Sequence, residues 1–571
     1  MNDINKLYSI WKEKAVKDKA VAEELKEMEN NSDAISEAFY KDLEFGTAGL
    51  RGIIGAGTNR LNIYTIGKAS QGLATYVNSI KKNGKIAIAY DSRINSELFS
   101  KTAAEVFAAN GIKVYIYKEL MPTPMLSFAV RHLKCDAGVV VTASHNPSKY
   151  NGYKAYDDTG CQLCPEAADF VLDVMNKIDI FEGVKSIDFE EGIKSGIIEY
   201  IGDDVINAFL DRVNDARVSK DLDLSNLNVI YSPLHGSGNK PVRKILEKIG
   251  VKNVTVVKSQ ELPDGEFPTC PYPNPETPQA FVEALKIAKE TPADILLATD
   301  PDCDRVGIAV NTGSEFKLLS GNDVGVIMLN YILSRRKELG TLPEKPITVK
   351  TIVTTELIKN IAKKYDCEVI EVLTGFKFIG EQITLLKNKG EENRYVLGFE
   401  ESYGYLIGDH ARDKDAVVAS MIICEMAAYY KSKSKNLCEV LADIYAEFGY
   451  CYCVQKSFTC EGMSGMARIS EIMETLRTQT PKQIAGIDVA VFKDFRNSVS
   501  TDIKTGKTET INLPKSNVLG FYLADESSVI VRPSGTEPKI KLYIGAKDQT
   551  DEKCEEKKTK LLESGTKLLG F

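Results

Sequence analysis

The sequence predicts three successive α/β domains followed by one α+β domain. A strand–helix–strand rhythm recurs three times, and from about residue 445 it gives way to closely spaced strands and one closing helix. The length, 571 residues, agrees with about four domains at roughly 150 residues each. The expected boundaries are 1–205, 206–320, 321–444 and 445–571.

Leu7, Ile10, Trp11, Ala15, Val21 and Leu25 recur at helical spacing among Lys and Glu, which predicts an amphipathic N-terminal helix laid on the first domain. Phe45-Gly46-Thr47-Ala48-Gly49-Leu50-Arg51-Gly52 follows as a glycine-rich turn carrying one arginine. Lys85 to Tyr90 reads as a strand, about Ser96 to Asn110 as a helix, and Lys113 to Tyr117 as the next strand. Val139-Val140-Val141 is β-branched and apolar, and it breaks into the polar loop Thr142-Ala143-Ser144-His145-Asn146-Pro147.

The rhythm returns with a strand at Asn228 to Tyr231 and another near Val254 to Val257, and the proline-rich stretch Leu262 to Pro278 reads as a surface loop. It returns again as strand Ile347 to Val353, helix Leu357 to Lys364 and strand Glu368 to Val372. In the last domain Ser528–Val531 and Ile540–Ile544 are strands joined by a short loop, and Asp551 to Leu569 is the charged closing helix.

Hydrophobic residues at 43% and charged residues at 27% describe an ordinary globular chain, and a net charge of -8 gives no encouragement to nucleic-acid or anionic-membrane binding. No window approaches a membrane span, and the charged N-terminus is not a signal peptide. Twelve cysteines at irregular spacing suit a reducing cytoplasm, and Cys161-Gln162-Leu163-Cys164 alone is weak evidence for zinc or redox chemistry.

Four strand-end loops carry candidate chemistry. Ser144 is the first strong nucleophile after the Val139 run, where α/β sheets place ligands. Asp300-Pro301-Asp302-Cys303-Asp304-Arg305 follows the apolar run Ile295–Ala298. Three alternating carboxylates repel unless a cation lies between them, and all-oxygen ligands select a hard ion such as Mg²⁺. An EF-hand is excluded because its sixth and twelfth positions hold Arg305 and Asn311. The Glu400-Glu401-Ser402 loop offers acceptors for vicinal sugar hydroxyls, and Thr374-Gly375-Phe376-Lys377 and Asp409 to Asp415 bring further charge. Arg532-Pro533-Ser534-Gly535-Thr536 offers an arginine, two hydroxyls and a glycine-freed backbone for a phosphate, without P-loop spacing. A hydrolase built on Ser144 and His145 is disfavoured because no G-x-S-x-G elbow surrounds the serine, and adjacent residues of a strand face opposite ways.

T-A-S-H-N-P, D-P-D-C-D-R, G-F-E-E-S-Y-G and R-P-S-G-T-E-P, in this order and with the opening F-G-T-A-G-L-R-G, resemble the α-D-phosphohexomutase superfamily and its phosphoglucomutase/phosphomannomutase family. The resemblance runs from about Phe45 to Lys539. It implies four domains around a central cleft, the last similar to the TATA-binding-protein fold. It also implies a phosphoserine at Ser144, with Asp300, Asp302, Asp304 and a Ser144 phosphoryl oxygen as Mg²⁺ ligands. Arg51 and Arg305 match arginines near the phosphoserine, and Lys154 matches a general acid/base, with His145 the competing candidate. Substrate contacts are implied at Glu400 and Ser402, with Thr374, Gly375, Lys377, His410 and Lys414 nearby. Arg532, Ser534, Gly535 and Thr536 match the site of the phosphate that is not reacting. The implied reaction interconverts a hexose 1-phosphate and 6-phosphate through a sugar 1,6-bisphosphate. Glucose is the first expectation, with mannose and pentose phosphates as alternatives.

Overall fold

A computed structural model describes residues 2–46, 49–460, 462–534 and 539–571. The chain gathers into two compact units: one of residues 1–320, 379–395 and 402–436, the other of residues 321–378, 396–401 and 437–571.

The first unit opens on two helices where one was expected, Asn2–Lys14 and Lys19–Glu27. The break has a local cause. The Asp18 carboxylate accepts the backbone N–H groups of Ala20 and Val21 at 3.0 and 3.3 Å, and so caps a new helix. The predicted apolar face persists across the break: Trp11 is fully buried, edge-on to Phe39, Tyr64 and Phe181 at 5.4–5.7 Å.

Two sheets follow. The first contains β1 (Leu50–Ile53), β2 (Lys85–Tyr90), β3 (Lys113–Tyr117), β4 (Ala137–Val141), β5 (Tyr150–Asp157) and β6 (Ile198–Ile201), in the order β1-β5-β4-β2-β3-β6. β4, β2, β3 and β6 run parallel, whereas β5 and β1 are antiparallel additions. Buried residues of β2, β3 and β4 pack against helices Ile63–Ile80 and Ser96–Ala109 in one core. The second sheet contains β7 (Asn228–Ser232), β8 (Asn253–Val256), β9 (Ile295–Thr299), β10 (Val306–Asn311) and β11 (Phe316–Leu319), in the order β11-β10-β9-β7-β8. Here β9 and β10 form a hairpin whose turn is the aspartate-rich loop.

In the second unit β12 (Ile347–Thr351) and β13 (Glu368–Val372) are parallel, and β14 (Tyr395–Glu400) lies beside β12. Helix Leu357–Lys364 stands where it was predicted. β15 (Gly404–Leu406) is counted with the first unit. The C-terminal segment builds a largely antiparallel sheet from β16 (Tyr450–Thr459), β17 (Gln483–Ile484), β18 (Ile487–Asp494), β19 (Val499–Asp502), β20 (Thr508–Thr510), β21 (Leu519–Leu523), β22 (Ser528–Pro533) and β23 (Lys539–Asp548). Its order is β16-β23-β22-β21-β18-β19-β20, with β17 paired to β18. Helices Gly462–Thr478 and Asp551–Leu568 supply residues to its core. This is the α+β segment expected from the sequence. Among the described residues no helix is long and apolar enough to cross a membrane. None of the twelve cysteines is in a disulfide, the CxxC pair included, and burial pushes the Cys161 thiol up to about 12.

Candidate active site

β4 ends at Val141, and the chain turns sharply at Ser144, whose φ of +51° is uncommon for a residue with a side chain. Buried partners hold this conformation. The Ser144 N–H donates to Thr142 Oγ1 at 2.8 Å, and the Thr142 hydroxyl donates to Asp91 Oδ2 at 2.6 Å. Arg93 donates to the carbonyls of Ser144, Pro147 and Tyr150 at 3.2, 3.0 and 2.9 Å, and it lies 3.4 Å from Asp91. Asp91 and Arg93 both have fully buried side chains. The pair sits at the end of β2, where the sequence showed only Asp-Ser-Arg. Its role was missed because neither partner marks a ligand until the fold folds them under the serine.

The turn aims the Ser144 hydroxyl at the second loop. Ser144 Oγ donates to Asp300 Oδ2 at 2.8 Å and lies 3.2 Å from His145 Nδ1. The expectation that neighbouring residues 144 and 145 diverge is therefore corrected, because the left-handed turn ends the strand alternation before it reaches them. His145 is edge-on to Tyr272 at 5.7 Å. Burial, reinforced by the nearby Arg305 and Arg51 charges, holds the imidazole well below its usual pKa, so the ring is neutral at neutral pH.

Asp300, Asp302 and Asp304 are buried, and one oxygen from each lies within 4.8 Å of the others. The Asp300 Oδ1 atom accepts the N–H groups of Asp304 and Arg305 at 3.1 and 2.9 Å, which closes the loop. Thr123, at the start of helix Thr123–His132, fixes Asp302 through its N–H to the Asp302 carbonyl at 2.9 Å and its hydroxyl to Oδ2 at 2.8 Å. Ser237 fixes Pro301, with both N–H and hydroxyl donated to its carbonyl at 2.8 and 2.9 Å. Gly236 allows that approach: a Cβ there would sit 2.5 Å from the Pro301 Cα.

Lys154 projects from β5, where it pairs with Val140 of β4. Its ammonium lies 2.7 Å from Asp302 Oδ2 and 3.2 Å from Asp304 Oδ2. Lys414 reaches Asp304 Oδ2 at 3.2 Å. Burial would lower the Lys154 pKa, yet Asp302 and Asp304 outweigh it and hold the lysine protonated. Asp304 is likewise opposed by burial but held well below the usual carboxylate range by Lys414 and Lys154. Asp300 is pushed well above that range by burial and by its two carboxylate neighbours. The Oδ1 atoms of Asp302 and Asp304 are buried and accept no hydrogen bond. Orphaned oxygens, an all-oxygen donor set and mutually repelling carboxylates fit a hard divalent cation such as Mg²⁺.

Around this centre Arg305 pairs with Glu276 at 2.5 Å, and Arg51 is exposed on β1 opposite Gly152. Glu276, in the proline-rich loop, carried no signal in the sequence. His410 is buried, its Nε2 atom 2.7 Å from Asp415 Oδ2 and its ring edge-on to Phe209. Ser402 is half-buried just after the Glu400 strand end.

The second unit brings together the other predicted residues. Glu400 is buried at the end of β14 and accepts the Gly375 N–H at 2.9 Å, with Gly375 at a φ of +123°. Beside Gly375 are the buried Thr374 hydroxyl and Lys377, whose ammonium lies over the Phe378 ring at 5.0 Å. Arg532 stands one residue before the end of β22, opposite Lys541, and the Ser534 N–H donates to the Lys539 carbonyl at 2.8 Å. Tyr543 links the two groups: burial and Glu401 push its phenol upward, and Arg532 opposes them. Gly535 and Thr536 lie outside the described residues, as do Thr47 and Ala48 of the glycine-rich turn.

A strand-end nucleophile, a carboxylate trio and flanking cations on an α/β scaffold define a phosphoryl-transfer class of protein. Family models agree segment by segment. Phosphoglucomutase/phosphomannomutase alpha/beta/alpha domains I, II and III match residues 42–180, 207–313 and 320–448, and the C-terminal domain matches 503–559. A phosphoglucomutase of Staphylococcus saprophyticus is 37% identical over 88% of this chain and 90% of its own. Among solved structures, the Paramecium phosphoprotein pp63/parafusin, named there as a phosphoglucomutase, superposes with a TM-score of 0.69 at 18% identity, covering 93% and 96% of the two chains. A phosphoglucomutase/phosphomannomutase family protein of Burkholderia thailandensis gives a TM-score of 0.66 at 18% identity, over 92% and 97%. The chain belongs to the phosphoglucomutase/phosphomannomutase family of the α-D-phosphohexomutase superfamily.

Proposed function

We propose that the chain interconverts α-D-glucose 1-phosphate and glucose 6-phosphate through a phosphoserine at Ser144 and a glucose 1,6-bisphosphate intermediate. The observation that carries this is the Ser144 hydroxyl 2.8 Å from Asp300, with Lys154 on the same carboxylate cluster. The relatives named phosphoglucomutase favour glucose as the sugar.

The free sugar hydroxyl attacks the phosphoserine phosphorus. A new P–O bond to the sugar forms as the P–O bond to Ser144 breaks; the hydroxyl proton passes to a base, and the departing Ser144 oxygen takes up a proton to regenerate the free hydroxyl. His145, neutral and beside Ser144 Oγ, is suited to receive the sugar hydroxyl proton, whereas Lys154 already holds its own. The bisphosphate then turns over and returns its other phosphate to Ser144. Arg305 and Arg51 neutralise charge near the transferring group. Asp300, Asp302 and Asp304, with an oxygen of the phosphorylated Ser144, would hold Mg²⁺, which when bound adds positive charge beside the phosphoryl group. Glu400, Ser402, Thr374, Gly375 and Lys377 are assigned to the sugar, with His410 and Lys414 at the loop that follows. Arg532, Ser534, Gly535 and Thr536 are assigned to the phosphate that is not reacting. Glucose 1,6-bisphosphate also serves as the activator that loads Ser144. We place the activity in the cytoplasm, where twelve cysteines outside any disulfide would stay reduced.

The test is turnover on glucose, mannose and ribose 1-phosphates with Mg²⁺ and a catalytic bisphosphate. Glucose is expected to give the highest kcat/KM, and Ser144→Ala is expected to abolish both turnover and labelling by the bisphosphate. Substantial mutase activity in Ser144→Ala would refute the assignment.

A further inference from the structure

Away from the candidate active site the first unit contains a cavity of about 530 Å³. It opens where parallel strands β3 and β6 end, at Tyr117 and Ile201, and is closed on its far side by helix Asn239–Lys248. Crevices beyond the carboxyl ends of parallel strands are where α/β sheets take ligands. None of the residues assigned to the mutase reaction lines it.

Its lining has two characters. Met121, Ile201, Ile206 and the ring of Tyr200, 40% exposed, give it an apolar wall. Lys118, Lys240 and Lys244 set three ammonium groups against the carboxylates of Glu119 and Asp203, which leaves the lining net positive. Lys240 is paired with Glu119, whereas Lys118 and Lys244 have no carboxylate partner among the described residues. A net positive charge beside an apolar wall, with Lys118 and Lys244 outside any ion pair, matches a phosphate monoester with an apolar or aromatic body.

Both walls are joined in sequence to residues that clamp the aspartate-rich loop. The wall Lys118–Met121 is followed two residues later by Thr123, which holds Asp302 by backbone and hydroxyl at 2.9 and 2.8 Å. The helix bearing Lys240 begins two residues after Ser237, which holds Pro301 at 2.8 and 2.9 Å. A ligand that shifts helix Asn239–Lys248 against the β3 end would move the two clamps of one loop.

We infer that this cavity is an effector site for a small phosphorylated metabolite with an apolar body, which acts on turnover through the Thr123 and Ser237 clamps. The effect on turnover rests on the proposed function, whereas the binding does not.

The probe is phenyl phosphate, with inorganic phosphate as the comparison, titrated calorimetrically into the full chain. Ser144→Ala and the double variant Lys118→Gln/Lys244→Gln are titrated alongside. Phenyl phosphate is expected to bind saturably to the wild-type chain and to Ser144→Ala, roughly tenfold or more weakly to the double variant, and more tightly than inorganic phosphate. It is also expected to change wild-type kcat at least twofold and to leave the double variant unchanged, while the two enzymes have equal turnover without it. An isotherm indifferent to the two lysines, or inorganic phosphate binding as tightly, would overturn the site. Binding that depends on the lysines but leaves kcat unchanged in an active mutase would overturn the effector role. Should the chain lack mutase turnover altogether, the proposed function fails, and the calorimetry still decides the site.

Discussion

Replacing Arg93 with Met should loosen the Ser144 turn without touching the reacting atoms. The guanidinium donates to four carbonyls of the turn, those of Ser144, Asn146, Pro147 and Tyr150, and its removal leaves Asp91 buried beside it with no cation. Breaking a buried pair by removing one partner costs about 3–5 kcal/mol. At about 1.4 kcal/mol per tenfold change, that is roughly a hundred- to several-thousandfold in the local opening equilibrium. Hydrogen exchange of the peptide spanning residues 139–152 reads this opening directly. Protection is expected to fall by that factor, and the kcat of the mutase with it. In Asp91→Asn/Arg93→Met the uncompensated charge is gone, so the double variant should recover part of the loss. Protection within tenfold of wild type in Arg93→Met, or a double variant worse than the single, would refute the reasoning.

Acid should expose a second buried network. Lys350 is fully buried between Glu356 and Glu371, and despite burial the Lys350 and Lys359 ammonium groups bring Glu371 down to about 2. A depressed carboxylate stabilises the fold above its unfolded pKa of about 4.5, by about 3 kcal/mol here, and that contribution is lost as pH falls from about 4.5 to about 2. Glu371→Gln should flatten the decline of Tm across that window, and an unaltered decline would count against it. Gly236→Ala places a Cβ 2.5 Å from the Pro301 Cα and should cost about 1–3 kcal/mol of strain, read as weakened Mg²⁺ affinity by calorimetry with the overall circular dichroism intact. Arg532→Ala should raise KM for the phosphosugar with a smaller change in kcat, and an unchanged KM would remove Arg532 from the phosphate site. Chelation should abolish turnover, and added Mg²⁺ should restore it.

Much of the architecture was legible because local and tertiary preferences agree. β2, β3 and β13 begin and end where their apolar runs do, and helix Leu357–Lys364 matches its periodicity. The N-terminal helix was misread as continuous because apolar spacing is blind to a cap, and only the Asp18 contacts show the break. At the site, motifs exposed the residues that carry charge to a ligand. Those that position them stayed hidden: Asp91, Arg93, Thr142 and Thr123 are ordinary residues whose partners lie on other strands or loops. The divergence expected of Ser144 and His145 failed for a related reason, since strand alternation does not survive a left-handed turn.

Lys154 and Lys414 have a consequence for handling the protein. Because their ammonium groups already rest against Asp302 and Asp304, two of the three carboxylates keep a cationic neighbour whether or not a divalent ion is bound. The chelated protein should therefore stay folded, and divalent metals could be offered to it one at a time.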